Sequence, residues 1–570
     1  MTPQRERPRA DSGSEHPIAS TPVRLLPRLV RRVAAVTAVV ALMGAVSVLS
    51  SSPDRSPVIA AGVLGAGGEF HPLEPQRVLD TRSGVNITAG ARPLLPGEGQ
   101  AFELSLSGQG GLPEMTPIDD DDPNGDDGEN GDDGENGDDG ENGDDGENGD
   151  DGENGDDGEN GDDGENGEDT SSPSEHPVLA VALSITVVEP TERGYLRAFA
   201  SDEQEGTSSI VNFSADETVP NMTVLAPGDD GSITVRLVSE GGEGTAHVLI
   251  DVFGWFSKGT YTEQGSRLIP VGPGRIFDSR NPAFGSAPIG PGESVEVPIA
   301  GADSLNPQIT DIVPDSEGIT GVLVNVTGVN QGADSEATFV SVVPDEPSPG
   351  APPTTSNLNL RRDHVKANLV MVPVGADGSI WLYNSAGDAH LVVDVVAYLE
   401  PRPVDTREGR VIPLRQPLRV LDTRLEEWGE LRLGAGQAED WTFRCFVADV
   451  RIGEDWVGAQ SAFLGNLTAT GLIPAPDYPD WGPSIDSYLT VFPSSDDTDA
   501  PPEASNLNIA EGESVPNAAL FRYGERQIDD EPDPYSVRVY NFDGEVHYLV
   551  DAAAVVLTDD DIERADCPNG

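Results

Sequence analysis

The chain has 570 residues, 100 of them acidic and 34 basic, for a formal net charge of −66. At 36% hydrophobic residues it can fill several packed domains. The shortage of Lys and Arg excludes a phosphate-gripping surface, hence nucleic acid as a partner, and excludes docking on anionic lipid. Glycine (65) and proline (48) favour turns and short strands over long helices. The acidity suits a protein kept soluble in a salty medium, where screening shortens the reach of like-charge repulsion.

Residues 1–62 read as an export signal. They are basic and Pro-rich as far as Arg31–Arg32. A run of 17 uncharged, mostly apolar residues follows at 33–49, with the small residues Ala60 and Ala61 beyond it. As a helix the run covers about 26 Å at ~1.5 Å per residue, short of a ~30 Å hydrocarbon core. A secretory signal cut near 60 is therefore expected. The alternative is an uncleaved signal-anchor, the chain's one membrane contact, with Arg31–Arg32 left on the cytoplasmic side. Either way the remainder is extracellular or at the cell surface.

After residue 62 one pattern is written three times. "RVLDTR" at 77–82 returns as "RIFDSR" at 275–280 and "RVLDTR" at 419–424. Arg275 to Arg419 spans 144 residues and Arg77 to Arg275 spans 198. The excess of 54 matches an acidic tract at 119–172, which reads as an insertion into the first copy. "SSIVNFSADETVPNM", "TSNLNLRRDHVKANL" and "ASNLNIAEGESVPNA" align without gaps. They place Asn212, Asn359 and Asn508 each nine residues before Asn221, Asn368 and Asn517. Each copy closes on a phrase with a His four residues before an Asp: His247/Asp251, His390/Asp394 and His547/Asp551. The stretches between are short, β-branched and bounded by Gly, Pro, Asn and Asp, and none keeps a period of 3.6. The expectation is all-β: three tandem sandwich-like or open-barrel modules of about 140 residues, set out as beads on a chain. Their bounds are 63–258, 266–400 and 411–558, with an acidic tail at 559–570.

Within 119–172 the unit "DDGENG" occurs seven times. With no aliphatic or aromatic residue, the tract cannot offset its own ordering entropy, so a disordered, self-repelling spacer is expected. Its carboxylates suit diffuse Ca²⁺ binding. The six-residue period fits neither an EF-hand loop nor nine-residue calcium repeats, so no defined metal site or other cofactor is expected.

The repeated polar residues read as structural. Along a strand Asp80 and Arg82 share a face and can form a charge-assisted pair that pins the entry of the module; Asp278/Arg280 and Asp422/Arg424 repeat it. The Asn pairs can satisfy backbone groups where strands end or bulge. His and Asp four apart on one strand lie roughly 13 Å from each other at ~3.3 Å per residue, too far to share an ion. No catalytic residues are expected: there is no nucleophile elbow, zinc-protease helix or phosphate loop. The competing reading is an extracellular polymer hydrolase or carbohydrate-binding protein, with Asp80 and Asp251 as the acids of the first module. Cys445 and Cys567 are expected to form a disulfide, as export permits.

In "RVLDTR", "SNLN" followed by "AN" or "PN", and "HLVVDVVAY", the chain resembles repeat modules of secreted and cell-surface actinobacterial proteins. The resemblance covers most of 70–257, 268–400 and 411–558. It implies export, an all-β fold and a surface or wall-associated role without assigned activity, with wall glycan or another surface polymer as partner. Copy one departs in "SSIVNF", which lacks the first Asn of "SNLN". A further "RPVDTR" at 402–407 reads as a degenerate echo in the linker.

Overall fold

The structure, a computed structural model, describes residues 67–115 and 176–560 apart from short stretches at 88–89, 98, 260, 308–311, 333–334, 453–454, 476–484, 497–499 and 529–530. The export segment, the acidic tract and Cys567 lie outside the described residues.

The first module comprises β1 (Phe70–Asp80), β2 (Phe102–Ser105), β3 (Val178–Val188), β4 (Gly194–Ala200), β5 (Val211–Phe213), β6 (Val219–Leu225), β7 (Ser232–Ser239) and β8 (His247–Ser257). The second repeats the order as β9 (Arg267–Asp278), β10 (Ser294–Pro298), β11 (Gly321–Asn330), β12 (Thr338–Val343), β13 (Leu358–Leu360), β14 (His364–Pro373), β15 (Ser379–Asn384) and β16 (His390–Glu400). The third opens with β17 (Val411–Asp422) and β18 (Gln437–Thr442). A short helix α1 (Arg444–Asp449) and the small pair β19 (Arg451–Ile452) and β20 (Asp455–Trp456) follow. It continues with β21 (Gln460–Ile473), β22 (Asp486–Pro493), β23 (Leu507–Ala510), β24 (Ser514–Arg522), an extra β25 (Gly524–Ile528), β26 (Glu531–Asn541) and β27 (Glu545–Leu557).

Every module is an antiparallel sandwich. One sheet runs β1-β8-β3-β6, β9-β16-β11-β14 or β17-β27-β21-β24. The other runs β2-β7-β4-β5, β10-β15-β12-β13 or β18-β26-β22-β23, with β25 added beside β26. The crossover from the second strand to the third (β2 to β3, β10 to β11, β18 to β21) is the most variable connection. It holds the acidic tract in module one, a plain loop in module two, and α1 with β19 and β20 in module three.

Residues of the first sheet are apolar on both faces. In β16 Leu391, Val393 and Val395 point into the core of their own sandwich. Across a bulge, Val396, Ala397 and Leu399 join a different cluster. That cluster also takes Phe253 and Phe256 from β8, Ala180 and Ala182 from β3, Leu464 from β21, and Ala554 and Val556 from β27. The sequence leaves the modules as beads on a chain; the structure instead stacks the three first sheets around one shared apolar core. A strand covered on both faces reads as an unbroken apolar run rather than an alternation, and β3, buried along its whole length, is such a run.

Main-chain bonds close a ring between modules at the starts of their first strands. Phe70 N–H donates to Ser266 O at 2.7 Å, Leu268 N–H to Gly409 O at 2.9 Å, and Gly68 N–H to Val411 O at 2.7 Å. Gly68 has to be glycine, because a Cβ there would run into Ser257 O. Glu69, Arg267 and Arg410 occupy equivalent positions beside this ring. Arg267, with no exposed surface, donates to Glu69 Oε1 at 2.9 Å and to Thr406 O at 2.9 Å. Arg410 Nη2 lies 3.3 Å from the same Glu69 oxygen. The "RPVDTR" echo thus serves as linker backbone: Pro403 O and Thr406 O accept from Arg267, and Arg402 pairs with Glu400 at 2.6 Å.

Candidate functional site

Each repeated arginine stands directly across from the closing aspartate: Arg77 opposite Asp251, Arg275 opposite Asp394, Arg419 opposite Asp551. The guanidinium grips the carboxylate with two bonds. They measure 2.9 and 2.9 Å for Arg77, and 2.8 and 3.2 Å for Arg275. Arg419 makes the same pair, its Nη2 at 3.1 Å from Asp551 Oδ2. The bulge that follows each arginine carries the geometry. In a flat strand residues three apart face opposite ways; one irregularity after Arg77, Arg275 and Arg419 turns the guanidinium toward the aspartate three residues on. Arg77 then lies 3.5 Å from Asp80, Arg275 3.7 Å from Asp278, and Arg419 3.0 Å from Asp422.

Asp80, Asp278 and Asp422 pair with Arg82, Arg280 and Arg424, at 2.9, 2.7 and 2.6 Å. This bond is local, between residues two apart. The entry strand is pinned by the other pair, the arginine across to Asp251, Asp394 or Asp551. The intervening hydroxyl is used as well. Thr81 Oγ1 meets His247 Nδ1 at 3.0 Å and accepts from Val248 N–H at 2.9 Å. Ser279 does the same with His390 and Leu391, and Thr423 with His547 and Tyr548. The His and Asp of each closing phrase thus answer successive letters of the opening one.

Electrostatics follow from the pairing. The Arg82 bonds hold the Asp80 carboxyl down at about 2. Burial pushes Asp278 and Asp422 up, but the bonds and charge of Arg280 and Arg424 outweigh it and leave both below the usual carboxylate range. Deep burial pushes Asp394 and Asp551 above that range, with Arg275 and Arg419 opposing it. Burial lowers His390 and His547, which favours neutral rings.

Asn221 and Asn517 work between modules. Asn221 Nδ2 donates to Ile210 O in its own module at 2.7 Å and to Asn466 Oδ1 of module three at 2.9 Å. Asn517 Nδ2 donates to Asn506 O and, at 2.9 Å, to Asn325 Oδ1 of module two. Asn368 Nδ2 donates to Asn357 O at 2.5 Å. Asn212 and Asn359 hold the serine three residues before them, at 3.0 and 3.2 Å. Asn508 keeps a buried, unpartnered Oδ1. The sequence reading missed Asn325 and Asn466. Their signal was an amide inside the apolar runs "GVLVNVTGV" and "AFLGNLTAT", where only a partner from outside the sheet could satisfy it. Cys445, in α1, is disulfide-bonded. Among the described residues no group of three or more His, Cys, Asp or Glu side chains is placed to hold a metal ion.

Comparison with known proteins adds one sequence match. Residues 120–174 match the family model of the collagen triple helix repeat. From Gly125 to Gly167 glycine recurs at every third residue, the collagen spacing, which lies inside the six-residue unit. No curated protein matches the chain. Among solved structures, the N-terminal CBM22-1–CBM22-2 tandem domain from Paenibacillus barcinonensis is 12% identical, over 39% of this chain and 78% of that one, with a TM-score of 0.14. The Sulfolobus turreted icosahedral virus structure is 9% identical over 66% and 80%, with a TM-score of 0.11. Likenesses this slight carry no functional weight.

Proposed function

We propose that the chain is an exported, non-catalytic surface or wall-associated protein, in which three fused sandwiches form one rigid platform that adheres to wall glycan or another surface polymer. The observation that carries this reading is the fate of the repeated acids. All six aspartates of the signature are bonded to guanidinium groups. A carboxyl held at about 2 is ionised under ordinary conditions and has no proton to give, so Asp80 is unsuited to the general-acid half of glycoside hydrolysis. Asp251 has both oxygens on Arg77. The signature then serves as internal joinery, written once for each module. The resemblance to actinobacterial surface modules supports the same reading, as does the basic-then-apolar N-terminal segment.

The test is retention of the chain beginning at residue 63 on purified wall polymer. Binding that survives a salt wash, without release of soluble sugar, is expected. Passage through the column at both low and high salt, or steady release of sugar abolished by Asp80→Asn in a folded protein, overturns the proposal.

A further inference from the structure

Two of the three seams between modules are closed by the same set of bonds. At the seam of modules one and three, Asn221 donates to Asn466 Oδ1, Asn466 Nδ2 donates to Ser209 O at 2.9 Å, and Ala518 N–H donates to Asn221 Oδ1 at 2.8 Å. At the seam of modules three and two, Asn517 donates to Asn325 Oδ1, Asn325 Nδ2 donates to Ser505 O, and Leu369 N–H donates to Asn517 Oδ1 at 3.0 Å. Each also gives its closing aspartate a main-chain N–H: Ser209 to Asp551 at 3.4 Å, Ser505 to Asp394 at 3.3 Å.

One more turn of this pattern should join module two to module one, through Asn368. It does not close. Ser184 stands where Asn466 and Asn325 stand, as its register opposite Asp251 shows. Serine's single short hydroxyl does not span to both Asn368 Nδ2 and Ser356 O, as a carboxamide does at the other two seams. Asn368, only 3% exposed, is left with an Oδ1 that has no hydrogen-bond partner. In place of the contact is a cavity of about 270 Å³, lined by Ser184, Met222, Asp251, Phe253, Ser356 and Asn368 among others. An orphaned buried amide oxygen costs roughly 1–3 kcal/mol, and the fold satisfies its counterpart in both other seams.

We propose that this cavity binds the acetamido group of an N-acetylated sugar, which supplies the carboxamide that Ser184 lacks. The ligand carbonyl accepts from the second N–H of Asn368 Nδ2, as Asn466 Oδ1 accepts from Asn221. The ligand N–H donates to Ser356 O, as Asn466 donates to Ser209 O. The acetyl methyl lies on Met222 and Phe253, and a ring hydroxyl donates to Asn368 Oδ1. A simple amide leaves that last acceptor unmet. The volume lies just below the usual range of about 300–1,000 Å³ for ligand pockets, which suits one sugar ring rather than a chain of them. The inference deepens the glycan-adhesion reading and rests on it for the choice of sugar over other amides.

The test compares N-acetylglucosamine with glucose, which has a hydroxyl in place of the acetamido group, on the full chain. N-acetylglucosamine is expected to raise the unfolding temperature saturably, and glucose to leave it unchanged. Ser184→Asn fills the site from within: it should raise the unfolding temperature without sugar and lose the response. Ser184→Ala keeps the cavity and should keep the response. An equal effect of both sugars, a response that survives Ser184→Asn, or no response to N-acetylglucosamine at saturating concentration overturns the proposal. Retention on wall polymer with no response to the free sugar sinks the pocket and leaves the platform standing.

Discussion

Burial alone would keep Asp251, Asp394 and Asp551 out of a strand interior, since an isolated carboxylate is costly there. The opposing arginine makes each tolerable, and removing one partner of such a pair exposes the full penalty on the other. The outer pairs behave differently because their arginines face water: Arg82 keeps 45% of its side chain exposed. Asp80 takes up its proton near pH 2 in the folded protein and near 4 when unfolded. Its depressed value therefore contributes stability above about pH 4, and that contribution is lost as pH falls toward 2. Arg82→Gln should accordingly cost about 1 kcal/mol near neutrality and only about a third of that near pH 2.5. Urea denaturation at the two pH values reads this directly, and an equal deficit at both would exclude the pair as its source. At this scale much was legible. The pairing of Asp80 with Arg82 was read from strand spacing, and the pair forms, but across the turn after β1, where Asp80 Oδ1 also accepts from Arg82 N–H at 2.9 Å. The reach of Arg77 to Asp251 was not legible, because 174 residues separate them and nothing local reveals which closing residue lies opposite.

Among the strands, the bulges were the hidden element. They have no sequence mark here beyond the repeated Arg, yet they turn an i,i+3 pair onto one face. The two-faced apolar runs were visible, and they are why sandwich strands could be recognised without alternation. Their meaning was not, since a run buried on both sides fits a large single sandwich or a stack of several. The interior amides were the discriminating clue, because an Asn in the middle of β11 or β21 needs a donor or acceptor from another body. Asn325→Ser should convert the closed seam of modules two and three into the kind found at Ser184. The expected loss is about 1–3 kcal/mol, with faster hydrogen exchange at Ser505. Unchanged stability and exchange would mean that the amide ladder does not hold the seam.

For the molecule as a whole, the shared core changes what counts as a folding unit. In proteins of stacked small repeats each unit contacts only its neighbours along the chain; here each module meets both others, and Leu323, Leu369 and Met371 of module two sit in the core it shares with them. Calorimetry should show one transition for residues 67–560, with calorimetric and van't Hoff enthalpies in agreement. Three resolved transitions would restore the beads. All-β architecture and the three repeats were readable from periodicity and spacing. The way the modules assemble was not, because it depends on which apolar face meets which, and many hydrophobic faces are interchangeable on that criterion alone.

The connection between the second and third strands of each module differs most from copy to copy. One copy fills it with an acidic, glycine-periodic run, another with a cystine-bearing helix, and the third with neither. Lengthening such a connection costs only about 0.6 kcal/mol per doubling. The connection has therefore been the place where the copies diverged in length while the strand order around it stayed the same.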